Sequence, residues 1–244
     1  MAKVTLQDRT LYKDGDWNTL CLPFSIDDFT GTPLEDATVM TLGNSEACET
    51  GFNSTTGTLT LEFLPAFEIE AGVPYIVRWE KADGYDANPG NFDIANPVFS
   101  GVTIVNEDPA NHSSEKGGVS FTGTYSPVFL KPGNKSNLFL GTDNTLYYPN
   151  AASAGATDGM YHLNAFCAYF HVTLKDPETE VRAFKLSFGD KETTGIVDIT
   201  MPAGGSQSPV WREASWYNLD GRRLNGKPSR AGVYIYKGVK RVIK

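Results

Sequence analysis

Helical periodicity is nearly absent from this chain. Its apolar residues come in short alternating runs, separated by clusters of Gly, Pro, Asn and Asp. Such a pattern builds strands and tight turns, not helices. Ten runs read as strands: Val4 to Leu11, Trp17 to Phe24, Thr38 to Leu42, Thr58 to Phe63, Tyr75 to Trp79, Val98 to Val105, Val119 to Tyr125, Asn137 to Gly141, Ala165 to Leu174 and Ala183 to Phe188. Strands at this spacing, with turn punctuation, predict an all-β fold, a β-sandwich or jelly roll. The 24 Gly and 14 Pro residues supply the turns. Residues Ala151 to Ala156 read as a loop.

Two stretches, Ala66 to Glu80 and Val128 to Gly141, share one grammar. Each has an alternating strand, an Ala-Gly or Pro-Gly turn and a second apolar strand, so each predicts a β-hairpin. A chain of 244 residues holds one large β domain and an appendage. The boundary falls in MPAGGSQSP, whose Gly, Ser and Pro pack poorly. The expected division is a main domain over 2–190, a flexible linker over 191–210 and a small β appendage over 211–244. Alternation from Val233 to Ile243, broken at Lys237-Gly238, predicts a hairpin inside that appendage.

The net charge of -8 disfavours nucleic acid and anionic membranes as partners. No apolar stretch is long enough for membrane insertion as a helix. Three cysteines, Cys21, Cys48 and Cys167, allow at most one bridge within the chain. Cys21 and Cys48 are the nearest pair in sequence, but Cys21 lies in the apolar run TLCLPF and reads as a buried thiol. Met1-Ala2-Lys3 leads straight into a strand-like run. An exported protein carries an apolar leader, so the export reading below expects a longer precursor.

The last segment reads SWYNLDGRRLNGKPSRAGVYIYKGVKRVIK from Ser215. It resembles the C-terminal export segment of secreted and surface proteins of the Bacteroidota. The opening RTLYKDGDWNTLCLPFSI and the later phrases GVPYIVRWE, NPVFSGVTI, FTGTYSPV, LGTDNTLYYPN and AFCAYFHV resemble the same group, in order, over nearly the whole chain. The family phrase tends to read F-R-A-Y-F; here Cys167 replaces that arginine. The resemblance implies a secreted or cell-surface, adhesin-like or polysaccharide-utilisation protein with no shared catalytic residues. It also implies an export signal carried by Asp220, Gly221, Arg222, Arg223, Gly232, Tyr234 and Lys240 and read by export machinery. Arg222, Arg223, Lys240, Arg241 and Lys244 form a basic group on an acidic chain; a charge-protected edge strand would use the same residues.

Chemical motifs are sparse. His112, His162 and His171 have neither a nucleophile elbow nor metal-ligand spacing around them, and read as surface or core-edge histidines. A glycosidase needs two carboxyl groups roughly 5 to 10 Å apart, and the sequence singles out none. Glu80, after Trp79, comes nearest to an apolar context. Asp14, Asp16 and Asn18 stand at alternate positions of the loop KDGDWN, where oxygen ligands could gather a structural calcium. A second loop offers Asp83, Asp86, Asn88 and Asp93. The simpler reading of both loops is Asx-turn chemistry between strands. Trp17, Trp79, Tyr85, Tyr147 and Tyr148 lie in or beside turn-rich loops and are the candidate rings for stacking against sugars. Tyr147 and Tyr148 are adjacent, so in a strand they face opposite ways.

These readings converge on a non-catalytic, monomeric adhesion module. It would bind a glycan or host-surface ligand by aromatic stacking and by hydrogen bonds from loop Asp and Asn side chains. The alternative is a ligand-free spacer or terminal domain of a large surface protein. A glycoside hydrolase ranks last.

Overall fold

The computed structural model describes residues 1–85, 92–153, 156–174 and 180–189, and the backbone of five strands beyond them. The chain is nearly all β, and its first compact unit, Met1–Ser206, is sandwich-like. A seven-stranded sheet has the order Glu192–Ile196, Ala183–Ser187, Thr58–Pro65, Thr38–Leu42, Pro74–Arg78, Asn18–Cys21, with Gly51–Asn53 also paired to Thr58–Pro65. A five-stranded sheet has the order Asn111–Ser113, Val119–Gly123, Ala168–Val172, Asn137–Leu140, Leu146–Tyr147. All pairings within both sheets are antiparallel except one: Ala183–Ser187 runs parallel to Thr58–Pro65, with Phe184 opposite Leu59.

Strict alternation explains how these strands build the core. Leu59, Leu61 and Phe63 point one way from their strand and meet Phe121, Phe170 and Leu138 of the five-stranded sheet. Phe121 and Phe170 are cross-strand partners whose rings stack at 4.6 Å, and Phe63 meets both edge-on at 6.2 and 6.3 Å. Each fully buried ring of this kind contributes about 1.5–3 kcal/mol. The strands Thr38–Leu42, Pro74–Arg78 and Asn18–Cys21 of the seven-stranded sheet are covered on the other face too. Ile76 joins the shared core, while its neighbours Tyr75 and Val77 join a second cluster with Leu6, Leu11, Phe24, Trp79 and Phe99. The five-stranded sheet repeats the arrangement. Leu138 and Leu140 face the shared core, whereas Phe139 packs with Leu130, Tyr147 and Tyr161 beneath the two-stranded sheet Val128–Leu130/Tyr161–Leu163.

The ten expected strands all contain observed ones, with local differences. The run Val4 to Leu11 is two strands, Ala2–Thr5 and Thr10–Leu11, because Asp8 adopts a left-handed φ of 59° between them. Neither expected hairpin forms. Pro74–Arg78 pairs with Thr38–Leu42 and Asn18–Cys21, while Ile69 makes an isolated bridge to Ile26. Val128–Leu130 pairs with Tyr161–Leu163 instead of Asn137–Leu140. Burying long apolar strands between neighbours outweighs the local turns.

The main sheet also runs past the expected end of the domain at 190. Glu192–Ile196, placed by the sequence reading in the linker, pairs residue by residue with Ala183–Ser187. The rest of that linker lies outside the described residues. A second compact unit, Gln207–Lys244, contains an antiparallel four-stranded sheet in the order Arg223–Leu224, Trp216–Tyr217, Gly232–Tyr236, Val239–Ile243. Tyr236 pairs with Val239, so the anticipated hairpin is present. Among the described residues no helix is long and apolar enough to cross a membrane.

Cys21, Cys48 and Cys167 are all free and buried. Cys21 Sγ lies 3.3 Å from the Gly72 carbonyl and Cys48 Sγ lies 3.3 Å from Ser45 Oγ. Burial pushes the Cys21 thiol up to about 12, so it stays protonated at neutral pH and behaves as a small hydrophobe.

Alternation makes a sharp prediction for two neighbouring residues. Phe63 is 1% exposed and Leu64 is 41% exposed. Phe63→Ala should cost about 3–5 kcal/mol in urea denaturation, through lost transfer energy and a cavity. Leu64→Ala should stay within about 0.5 kcal/mol. Equal costs would mean that the strand does not bury one face in the sandwich.

Candidate functional site

The loop KDGDWN is a clamp between the two sheets. Asp14 Oδ1 accepts the Asp16 N–H at 2.9 Å, an Asx-turn contact. Asp16 reaches across the molecule: one carboxylate oxygen accepts the Asp143 N–H at 2.8 Å and the other accepts Asn144 Nδ2–H at 3.2 Å. Asn144 reciprocates, its Oδ1 accepting the Trp17 N–H at 2.8 Å. Asp143 and Asn144 both hold left-handed φ, 57° and 51°, a conformation that Asp and Asn tolerate best among residues with a Cβ. Asn18 is buried and closes the loop that precedes its strand; its amide accepts the Tyr12 N–H and donates to the Tyr12 carbonyl, both at 2.8 Å.

Asp14, Asp16 and Asn18 thus direct these oxygens to three different backbone segments instead of toward one point. Among the described residues no group of three or more His, Cys, Asp or Glu is placed to hold a metal ion. In the second loop Asp93 accepts the Lys13 N–H at 2.8 Å and the Tyr85 hydroxyl at 2.9 Å. Asp83 is exposed, and Asp86 and Asn88 lie outside the described residues.

Four of the five expected stacking rings are interior. Trp17 stacks on Phe188 at 5.1 Å, with the Arg78 guanidinium 4.7 Å from its ring. Trp79 donates Nε1–H to the Glu35 carbonyl at 2.8 Å in the second core. Tyr147 and Tyr148 do face opposite ways, yet both are buried. Tyr147 packs on Phe139 in the outer cluster. Tyr148 enters the shared core, donates its hydroxyl hydrogen to the Val181 carbonyl at 3.0 Å and accepts the Val181 N–H at 2.7 Å. Burial raises the Tyr148 hydroxyl to about 12. These four rings cannot offer a face to a sugar, because each is no more than 6% exposed. Tyr85 is half-buried beneath Lys81, whose ammonium lies 5.0 Å from the ring.

Two phenylalanine rings that the sequence did not single out are exposed among the described residues, Phe67 at 83% and Phe129. Phe129 is 54% exposed, at the middle of Val128–Leu130. Leu130 turns inward to the outer cluster, so Phe129 turns out. His162 is its cross-strand partner, with ring centroids 4.6 Å apart at 64°. Both Asp158 carboxylate oxygens hold His162 Nε2, at 2.8 and 2.9 Å. The Met160 N–H and then His162 hold the Asp158 carboxyl below its usual value, so it is ionised at neutral pH. The available signal was the apolar triplet Val128-Phe129-Leu130: three apolar residues on a strand with one buried side leave the middle one facing out.

The other candidates for chemistry are dispersed. His112 is half-buried and its pKa is lowered by desolvation. His171 Nδ1 pairs with Asn137 Oδ1 at 2.8 Å on the outer face of the five-stranded sheet. The Glu80 side chain is 93% exposed, outside any apolar pocket. In the appendage, Arg223 pairs with Tyr217, Tyr217 with Ile235 and Ile235 with Lys240, so two of the expected export residues share one register line. Gly232 and Tyr234 lie in the strand Gly232–Tyr236, while Asp220, Gly221 and Arg222 lie outside the described residues. No protein-family model, curated protein or solved structure matches the chain.

Asp16 yields a test with a defined sign. Burial, with the like charges of Asp14 and Asp143, raises its pKa above 3.8 against the opposing Asp143 N–H and Lys81. The native state therefore holds this proton more tightly than the unfolded chain. Its contribution to stability is greatest below pH 3.8 and falls as pH rises through the folded value. Wild type should lose stability relative to Asp16→Asn as pH is raised from about 4, measured by urea midpoints. Asp16→Ala should cost about 1–2 kcal/mol at neutral pH by unpairing the Asp143 and Asn144 donors.

Proposed function

We propose that this chain is a non-catalytic extracellular adhesion module that binds glycans. The observation that carries the reading is the exposed Phe129 ring beside the His162–Asp158 pair. A pyranose ring stacks its C–H face on an exposed aromatic. The Asp158 carboxylate, held on His162, would accept hydroxyl hydrogens with its remaining lone pairs. Affinity per site is weak, and many copies on a cell surface make up the difference. The secreted or surface location and the export role of the last segment rest on the sequence resemblance to Bacteroidota surface proteins. A structural calcium remains part of the proposal only as a condition to vary in the binding test.

The second reading is a ligand-free spacer. Burial of Trp17, Trp79, Tyr147 and Tyr148 favours it, since a spacer needs no exposed platform.

A glycan array with the purified chain, run with calcium and with chelator, separates the two. A defined sugar should bind, and Phe129→Ala should weaken it about tenfold, the scale of one aromatic contact. A blank array under both conditions favours the spacer over the glycan-binding reading. The export role has its own test. Deleting Ser215 to Lys244 in the native host should retain the protein inside the cell or periplasm, and normal surface display of the truncation would rule the role out.

A further inference from the structure

The chain's net charge of -8 conceals two units of opposite sign. From Gln207 to Lys244, nine residues are Lys or Arg and two are Asp or Glu, a net +7. Met1–Ser206 carries the difference, -15. At physiological salt a charge is screened beyond about 8 Å, so a partner responds to the unit it touches and not to the sum. Charge therefore disfavours an anionic partner for the first unit and favours one for the second.

Register orders the second unit's residues within its sheet. Arg223, Tyr217, Ile235 and Lys240 form one line across the four strands. Val233 and Val242, paired with each other, fall on the same face by alternation. This face is basic on both edge strands, with apolar and aromatic residues between them. The other face holds the line Leu224, Trp216, Tyr236, Val239. Among the described residues this unit has one sheet and no second layer, and an apolar sheet face is buried by something laid against it. Edge protection accounts for charge on Arg223–Leu224 and Val239–Ile243. It leaves six of the nine basic residues unexplained, because Arg212, Arg222, Lys227, Arg230, Lys237 and Lys244 lie outside the edge strands.

We infer that the face carrying Arg223, Tyr217, Ile235 and Lys240 docks on an anionic lipid surface. Such a surface supplies both halves of the required chemistry. Its phosphate headgroups complement the basic residues. The boundary below them takes apolar residues and is where tyrosine rings collect. Nucleic acid matches only the first half, since it would set a charged backbone against Val233, Ile235 and Val242. The contact is peripheral. Gly232–Tyr236 and Val239–Ile243 have five residues each, against about 9–11 for a strand that crosses a bilayer.

The test is co-sedimentation of the full chain with vesicles of phosphatidylcholine containing about 30% phosphatidylglycerol, against vesicles of phosphatidylcholine alone. The chain should sediment with the anionic vesicles at about 0.1 M salt, leave them at about 1 M, and ignore the neutral ones. Arg223→Gln/Lys240→Gln should weaken partitioning about thirtyfold, the scale of two basic residues at such a surface. Arg223→Lys/Lys240→Arg should bind as wild type, which separates lost charge from lost fold. Lys3→Gln/Lys131→Gln makes the same charge change at exposed positions of the first unit and should also bind as wild type. Duplex DNA at equal phosphate concentration should not displace the chain from the vesicles. The inference is overturned if the chain ignores anionic vesicles or binds neutral ones equally. It is also overturned if DNA displaces the chain, or if the first-unit pair costs as much as Arg223→Gln/Lys240→Gln. The vesicles carry no sugar, so the Phe129 reading stands or falls separately, on the glycan array.

Discussion

Covering both faces of the central strands Thr38–Leu42 and Pro74–Arg78 is the constraint on which this fold depends. Alternate residues of one strand enter different cores: Ile76 packs against the facing sheet, Tyr75 and Val77 against the N-terminal segments. A one-residue slip in register would exchange those sets and put the wrong side chains in both cores. Long-range pairing is therefore strongly specified, and local turn preferences yield to it. The Asp16–Asn144–Trp17 clamp adds polar specificity at one end, tying a turn of one sheet to a turn of the other.

The strands were legible because alternation is a local signal. Thr58 to Phe63 and Ala183 to Phe188 could be read from the residues alone, and both are strands. Their parallel pairing was not, because nothing local links positions so far apart. The Ala-Gly and Pro-Gly turns were read as hairpins for the same reason: turn chemistry bends a chain but does not choose its partner strand. The hairpin from Gly232 to Ile243 was legible because its partners are neighbours in sequence.

The candidate sites were less legible, and for a physical reason. Asp, Asn and aromatic residues near turns look alike whether they bind a ligand or close a core. Asp14 and Asp16 are turn and clamp residues, and the aromatics beside them fill space between layers. Exposure is a tertiary property, set by whether another layer covers a given face. Phe129 is exposed because the small sheet that carries it has nothing packed outside it at that position, and no run of residues announces that.

The parallel strand also sets an order of events during synthesis. Thr58–Pro65 leaves the ribosome early, but one of its edges waits for Ala183–Ser187, made more than a hundred residues later. Until then a central strand of the sandwich has an open edge, and such edges recruit other chains. Closure also comes late because the non-local pairing must first overcome the entropy of a long loop. Glu192–Ile196 then adds to the new edge as an antiparallel partner. A chain halted before these last strands join would keep that edge open and stay prone to aggregation.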